Sequence, residues 1–426
     1  MHRIFFLLLL VLLPTQLGYH FWPEWAHVLG RRVDYLSPTI YLTDILIFLT
    51  LAFWFIESGK TFLISSFKFL IKRRNTEILI FVIAFVIANI IVSKNQPAVI
   101  YKLLKVLEFV LLGFYIIKTK PAFSFIIWHL SFGILFSSVL AISQFFFQHS
   151  IGGPLWWLGE RTFSLDTPGI ARIELCNLSH VSCRLFLRPY ATFPHPNVLG
   201  GFLAATIPLV ISNFKFLISN QTKKVQMFQI ITIVLGSIAL VLTGSRTAIF
   251  AGAIGIGITY FVLGKRKRHS VFSLIPYIIP LMLLGIFLSR TIGINDESVV
   301  VRQQLNAAAI KLWQQSPIVG VGLGNFLVGL PKALPSRAIY FLQPVHNIYL
   351  LVLAETGVMG LVVFLWMLWM TLKKATGDRR QETGRLVTCC LSLVVLLLLG
   401  LVDHYPLTLQ QGQLLFTLLL SFSMIQ

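Results

Sequence analysis

The sequence predicts an all-α, polytopic membrane protein of about twelve spans with two long extracytoplasmic loops. Three observations carry this. Of the 426 residues, 56% are hydrophobic and only 12% are charged. The mean hydropathy is +0.82, more apolar than a soluble core requires. Apolar stretches of about 18 residues or more, each able to cross a hydrocarbon core roughly 30 Å thick, recur along nearly the whole chain. These stretches do not alternate: 78–88 and 386–402 are apolar on nearly every face. That is the pattern of a helix, whereas a barrel strand alternates polar and apolar residues.

In chain order the spans fall at 4–20, 39–57, 77–93, 99–117, 121–148, 197–217, 226–243, 246–264, 271–289, 346–371, 386–402 and 407–425. Arg3 ahead of the apolar run 5–13 is how a signal peptide begins, but no small-x-small cleavage motif follows, so the first stretch is drawn as a retained span. The chain divides into N-terminal transmembrane helices (1–148), an outer loop (149–196), central helices (197–289), a large outer loop (290–345) and C-terminal helices (346–426). Orientation follows from the basic connections. These are Lys60 with Lys68, Lys72, Arg73 and Arg74; Lys118 with Lys120; Lys215 with Lys223 and Lys224; Lys265 to Arg268; and Lys373 to Arg385. Each follows an even-numbered span, so the retention of basic loops in the cytoplasm puts both termini there. Arg31, Arg32 and Lys94 oppose this assignment and are outnumbered. The net charge of +20 is then a topology signal and an attraction to anionic membrane lipid, and no nucleic acid partner is needed.

The outer loops should be poor in basic residues, yet they carry Arg161, Arg172, Arg184, Arg188, Arg290, Arg302, Lys311, Lys332 and Arg337, with Arg246 at a short turn on the same side. Arginine predominates. A guanidinium grips phosphate oxygens in a fixed fork, so this surface either holds a phosphate or diphosphate ligand or is ordinary solvated loop charge. Cys389 and Cys390 lie inside a span. Cys176 and Cys183 share the first outer loop, where the compartment is oxidising, and form either a disulfide or two free thiols. Their spacing fits no common zinc pattern, and no metal cluster or cofactor motif stands out. No long segment recurs between the two halves, which counts against a transporter built from repeats. Acidic pairs are missing from the spans except near Lys102, Lys105 and Glu108, where Lys105 and Glu108 are spaced as a neutralised pair.

The polar chemistry concentrates in the second half. The run Arg188-Pro-Tyr-Ala-Thr-Phe-Pro-His-Pro-Asn197 stiffens the approach to a helix and leaves His195 and Asn197 at its start, as caps or as ligand contacts. Thr243-Gly-Ser-Arg-Thr247 is a tight outer turn. Its Arg246 either snorkels to headgroups or faces an anionic ligand beside helix N-terminal amides. In 299–315 the residues Val300, Val301, Leu305, Ala308, Ala309, Leu312 and Trp313 fall at helical spacing, the pattern of an interfacial helix with Arg302 in its first turn. Ser316-Pro-Ile-Val-Gly-Val-Gly-Leu-Gly-Asn325 ends that helix and lets backbone approach closely to whatever binds. His346-Asn-Ile-Tyr-Leu350 opens the next span, with Glu355 about two turns in. A histidine there either caps the helix or takes a proton from a hydroxyl nucleophile while arginines hold a leaving diphosphate.

Taken together, residues 188–371 resemble the bacterial O-antigen ligase and polymerase family, inner-membrane glycosyltransferases of the GT-C type. The order of motifs carries the resemblance: His195-Pro-Asn197, Gly244-Ser-Arg246, Arg302 ahead of Trp313, Pro317 to Phe326, and His346-Asn-x-Tyr-Leu with Glu355-x-Gly. Ala191 stands where a glycine is frequent before Thr-Phe. The resemblance implies a metal-independent, inverting enzyme with its active site on the extracytoplasmic face. It would take a glycan from undecaprenyl diphosphate to an acceptor hydroxyl on lipid A core (lipopolysaccharide), a surface polymer or a protein. His346 is then the base. Arg246 and Arg302, with Arg188 as a third, bind the diphosphate, and His195, Asn197, Ser245, Asn347 and Glu355 support them. Within that family a polymerase or a protein O-oligosaccharyltransferase is the alternative to a ligase. A lipid-linked glycan transporter would need the cationic residues but no base, and a non-catalytic assembly protein would need neither.

Overall fold

In the computed structural model the apolar runs are helices, and what joins them on one end of the bundle is not loop alone. The structure describes residues 1–71, 73–176, 183–217, 223–264, 296–335, 342–375 and 383–425. The expected span 271–289, Lys265 to Arg268, Arg290 and Arg337 lie outside the described residues. The helices are α1 (His2–Val11), α2 (Leu42–Ile71), α3 (Arg73–Val92), α4 (Gln96–Thr119), α5 (Phe123–Phe147), α6 (Pro196–Leu217), α7 (Lys223–Leu242), α8 (Arg246–Gly264), α9 (Asp296–Gln315), α10 (Phe326–Ala333), α11 (Ile348–Ala375), α12 (Thr383–Leu399), α13 (Tyr405–Thr408) and α14 (Gln410–Met424). Among the described residues four stretches are long and apolar enough to cross a membrane: Phe123–Phe147, Pro196–Asn213, Lys223–Leu242 and Ile348–Lys373. Shorter apolar helices accompany them. Their outward faces carry exposed Phe48, Phe146, Phe261, Val362 and Trp366, as a surface solvated by lipid does.

Helix α6 is the centre of the bundle and packs on α7, α8 and α12. Its small residues permit this. A Cβ on Gly201 would overlap the Tyr405 hydroxyl, so the glycine is the notch that seats Tyr405, the close approach that membrane helices reserve for small side chains. Around this centre, α5 packs on α7, α1 on α2 and α5, and α14 on α4 and α12. A second apolar cluster lies apart from the bundle core. In it Val301, Leu305, Ala308 and Leu312 of α9 pack with Phe326 and Leu330 of α10, Leu351 of α11, and Ala26, Val33 and Leu36.

Several expectations change. The first span, 4–20, is only the ten-residue α1, about 15 Å long. Pro14 lacks a donor to continue it, the Thr15 hydroxyl donates to the Leu158 carbonyl at 2.6 Å, and β1 (Gly18–His20) pairs antiparallel with β4 (Thr39–Tyr41), with the short pair β2 (His27–Val28) and β3 (Arg31–Arg32) between them in the chain. The basic connection after the second span is helical up to Ile71, because no proline stops α2. The segment at 299–315 is not an interfacial helix. It begins earlier, at Asp296, and its apolar face is buried against protein, which puts Arg302 in the second turn. The last span is broken at Leu409, whose backbone is extended between α13 and α14. Cys183 is disulfide-bonded, and Cys176 lies opposite it in the register of β5 (Arg172–Cys176) and β6 (Cys183–Leu187).

Helix α11 is interrupted at Gly357, where φ is 65° and ψ −169°. The interruption would strand four backbone groups at a depth where water is scarce. The glycine-rich segment supplies their partners. Val321 N–H donates to Ala354 O at 2.9 Å and Gly322 N–H to Glu355 O at 3.0 Å, while Val358 N–H donates to Pro317 O at 2.9 Å and Met359 N–H to Ile318 O at 3.2 Å. Asn89 of α3 adds to the joint, its Oδ1 accepting from Leu323 N–H at 2.8 Å. The close backbone approach foreseen for these glycines is thus to the protein's own helix.

Candidate functional site

At one end of the bundle a cavity of about 530 Å³ is lined by Arg188, His195, Asn197, Arg302, His346, Asp403 and His404, among others. Both described chain ends lie away from it. Met1 is bonded to Glu57, some four turns down α2 from Asp44, and α14 runs from Gln410, beside Asp44, some four turns to Met424.

Arg188 follows β6. Its Nε donates to the Thr243 carbonyl at 2.6 Å and its Nη2 to Asn197 Oδ1 at 2.7 Å, so one guanidinium ties the hairpin to the start of α6 and to the α7–α8 turn. Burial pulls its pKa down to about 10, and the charge of Arg302 acts the same way. It remains a cation at neutral pH. His195 Nδ1 accepts from Asn197 N–H at 3.1 Å, which leaves Nε2 as the protonated nitrogen of the neutral ring, a donor. Burial, then the charge of Arg188, lowers the His195 pKa to about 3. The ring is neutral under all ordinary conditions.

His346 precedes Asn347, which caps α11. Asn347 Oδ1 accepts from Tyr349 N–H at 2.9 Å and Leu350 N–H at 3.0 Å, and its Nδ2 donates to the Leu401 carbonyl at 3.1 Å. The cap fixes where the histidine ring stands. His346 Nδ1 is buried without a partner. Its ring meets that of His404 edge to face at 5.0 Å. Burial pushes the His346 pKa below the usual 6.5, a charge on His404 would push it further, and the Asp403 carboxylate pulls it back. Burial also depresses His404, whose Nδ1 lies 2.7 Å from the Thr408 hydroxyl. His346, Asp403 and His404 offer ligand atoms within 4.8 Å of one another, the donor set of a cation site. Arg302 and Arg188 face the same space, and two guanidinium charges there favour an anion.

Five of the residues singled out in the sequence therefore meet: His346, Arg302, Arg188, His195 and Asn197. Four do not line the cavity. Arg246 is the first residue of α8 and half-buried, two residues beyond the Gly244 at which Arg188 packs. Ser245 is buried in the same turn, against Gly200. Asn347 acts through its cap. Glu355, expected among the supporting residues, does not reach the cavity: its Oε1 accepts from Phe326 N–H at 3.2 Å, clamping the glycine segment. It lines a separate, smaller cavity with Lys102. Asp403 and His404 went unread in the sequence. The signal was present, since Asp403-His404-Tyr405-Pro406 is a polar interruption between the apolar runs 386–402 and 407–425.

Residues 231–365 match the O-antigen ligase family. The match spans 135 of the 426 residues. No curated protein matches the chain. The O-antigen ligase segment contains Arg246, Arg302, His346 and both sides of the glycine joint, while Arg188, His195, Asp403 and His404 reach the same cavity from outside it. The chain is accordingly a membrane protein that carries a segment similar to the O-antigen ligase family, and a lipid-linked glycan and an acceptor are the general kinds of partner that such a segment implies.

Proposed function

We propose that this protein transfers a glycan from a polyprenyl diphosphate carrier to an acceptor hydroxyl at the cavity of His346, on the extracytoplasmic face of a bacterial inner membrane. The observation that carries the reading is a neutral, partly unsatisfied imidazole that shares one polar cavity with Arg302 and with the hydrogen-bonded guanidinium of Arg188. An imidazole nitrogen of His346 takes the proton of the acceptor hydroxyl. The oxygen forms its bond to the anomeric carbon from the face opposite the carrier, the bond to the diphosphate oxygen breaks, and its electron pair leaves with the diphosphate. The product is inverted at that carbon.

The charges are arranged for this step. Arg302 and Arg188 offset the negative charge growing on the departing oxygen, and the His195 Nε2–H adds a neutral donor. Arg246, at the end of the turn that holds Arg188, approaches the carrier from the same side. Asp403 favours the imidazolium that forms on His346. The positive charge that a divalent ion supplies in other transferases comes here from arginine, so the reaction is metal-free in this reading.

The test is transfer in reconstituted vesicles containing extracted lipid-linked glycan and candidate acceptors, with product followed by gel mobility. The parent is expected to form conjugate and His346→Ala and Arg302→Ala to fail while remaining folded. The acceptor that shifts separates ligase from polymerase. Undiminished transfer by His346→Ala would remove the base assignment, and absence of conjugate with the parent would make transport of the lipid-linked glycan the better account.

A further inference from the structure

A second cavity of about 350 Å³ opens on the same end of the bundle. It shares Tyr35, Pro194 and Leu409 with the His346 cavity as a common wall. Tyr35 meets the His404 ring edge to face at 5.4 Å, and His404 in turn meets His346. The two cavities are therefore one aromatic thickness apart.

Their linings differ in kind. Arg161 lines the second cavity but is engaged by the Pro194 carbonyl at 2.7 Å and the Tyr190 ring. Glu160 is spent on Gln144 and the amides of Ile151 and Gly152. Lys105 is neutralised by Asp44 and Glu108, each at 2.7 Å. Lys102 is the remaining cation. No pair of guanidinium groups waits for phosphate. The cleft is instead lined by the aromatic side chains Trp156, Tyr41 and Tyr101, together with amides. Gln410 is 3% exposed, its Nε2 donates to Thr43 and Asp44, and its Oε1 has no partner. Aromatic side chains beside an unsatisfied amide oxygen suit a ligand with C–H faces and hydroxyl edges, which is a sugar ring.

We infer that this second cavity is a saccharide subsite, which passes a sugar hydroxyl over Tyr35 to His346. The identity of the reaction rests on the function proposed above, whereas the binding of sugar does not. Two sources share this chemistry, the acceptor glycan and the outer sugars of the lipid-linked donor, and kinetics separate them. Trp156 is half exposed on a 3-10 turn (Gly153–Leu158), so its removal spares the fold, and Trp157, exposed, outside the cavity lining and edge to face with Trp156 at 4.9 Å, is the control for a packing effect.

In the vesicle assay Trp156→Ala is expected to raise one KM about tenfold with kcat within twofold of the parent, Trp156→Phe to restore it, and Trp157→Ala to change neither. A raised acceptor KM assigns the cavity to the acceptor, and a raised donor KM assigns it to the donor's outer sugars. Independently, oligosaccharides released by mild acid from the same lipid-linked pool should quench tryptophan fluorescence saturably, in the parent and Trp157→Ala but not in Trp156→Ala. Transfer with both KM values unmoved in Trp156→Ala, or no saturable quench in the parent, overturns the subsite. A Trp156-dependent quench in a parent that transfers nothing would sink the proposed reaction and leave the saccharide site standing.

Discussion

The glycine segment 316–325 and the histidine at 346 lie in the one segment that matches the O-antigen ligases and read alike in the sequence, as polar, flexible chemistry at a helix end. Their environments are opposite. Around Gly320, Gly322 and Gly357 four backbone groups of the broken α11 are answered by the protein itself, and a Cβ on Gly320 or Gly357 would overlap backbone across the joint. Around His346 a ring nitrogen is left unanswered in a cavity with two arginines. A site that stabilises the fold closes its hydrogen bonds, and a site that binds something leaves them open.

Substitutions that separate activity from stability test that distinction. The largest effect is expected at His346→Ala: transfer falls about 10²–10⁴-fold, while thermal stability in detergent changes little, because Nδ1 gives up no hydrogen bond and only the edge contact with His404 is lost. A matching loss of stability would place His346 on the structural side. Arg302→Ala should cost about 10²–10³-fold in kcat. Arg188→Ala should cost activity and also stability, since that guanidinium bridges Thr243 and Asn197.

Gly357→Ala inverts the pattern. Strain at φ 65° and the clash with the Ile318 carbonyl should cost about 3 kcal/mol, visible as a lowered melting temperature, with activity per folded molecule retained. Glu355→Ala should cost about 1–3 kcal/mol by stranding the Phe326 amide. Glu355→Gln, which keeps an acceptor oxygen, should recover most of it, and a loss of kcat in Glu355→Gln at full stability would return that residue to the chemistry. The smallest effect is the pH profile. A base is active when deprotonated, and burial lowers the His346 pKa from 6.5, so kcat/KM should hold steady through neutrality and its acid limb should lie below 6.5. An acid limb at or above that value would mean the ring is not buried as described.

Much of this was legible in the chain. Apolar length gave the helices, and proximity to a helix start marked His346, His195 and Asn197, because caps and ligand contacts use the same residue types. Glu355 was misread because its distance along α11 says nothing of which neighbour it meets, and that neighbour, the Phe326 amide, comes from a segment threaded through a break. The interfacial reading of α9 failed for a related reason: one apolar stripe fits a lipid surface and a protein surface equally well.

What the sequence by itself determined is composition acting locally: which segments are helical and apolar, where prolines and glycines end them, and which few polar side chains stand at their ends. Only the tertiary structure decided which of those ends share a cavity. Arg188, Arg302, His346 and Asp403 are separated by tens to hundreds of residues and meet because α6, α9, α11 and the α12–α13 turn converge at one end of the bundle. Convergence depends on packing between distant surfaces, a notch at Gly201 for Tyr405 and a joint at Gly357 for the glycine segment, and such complementarity is a property of pairs of segments that neither carries alone.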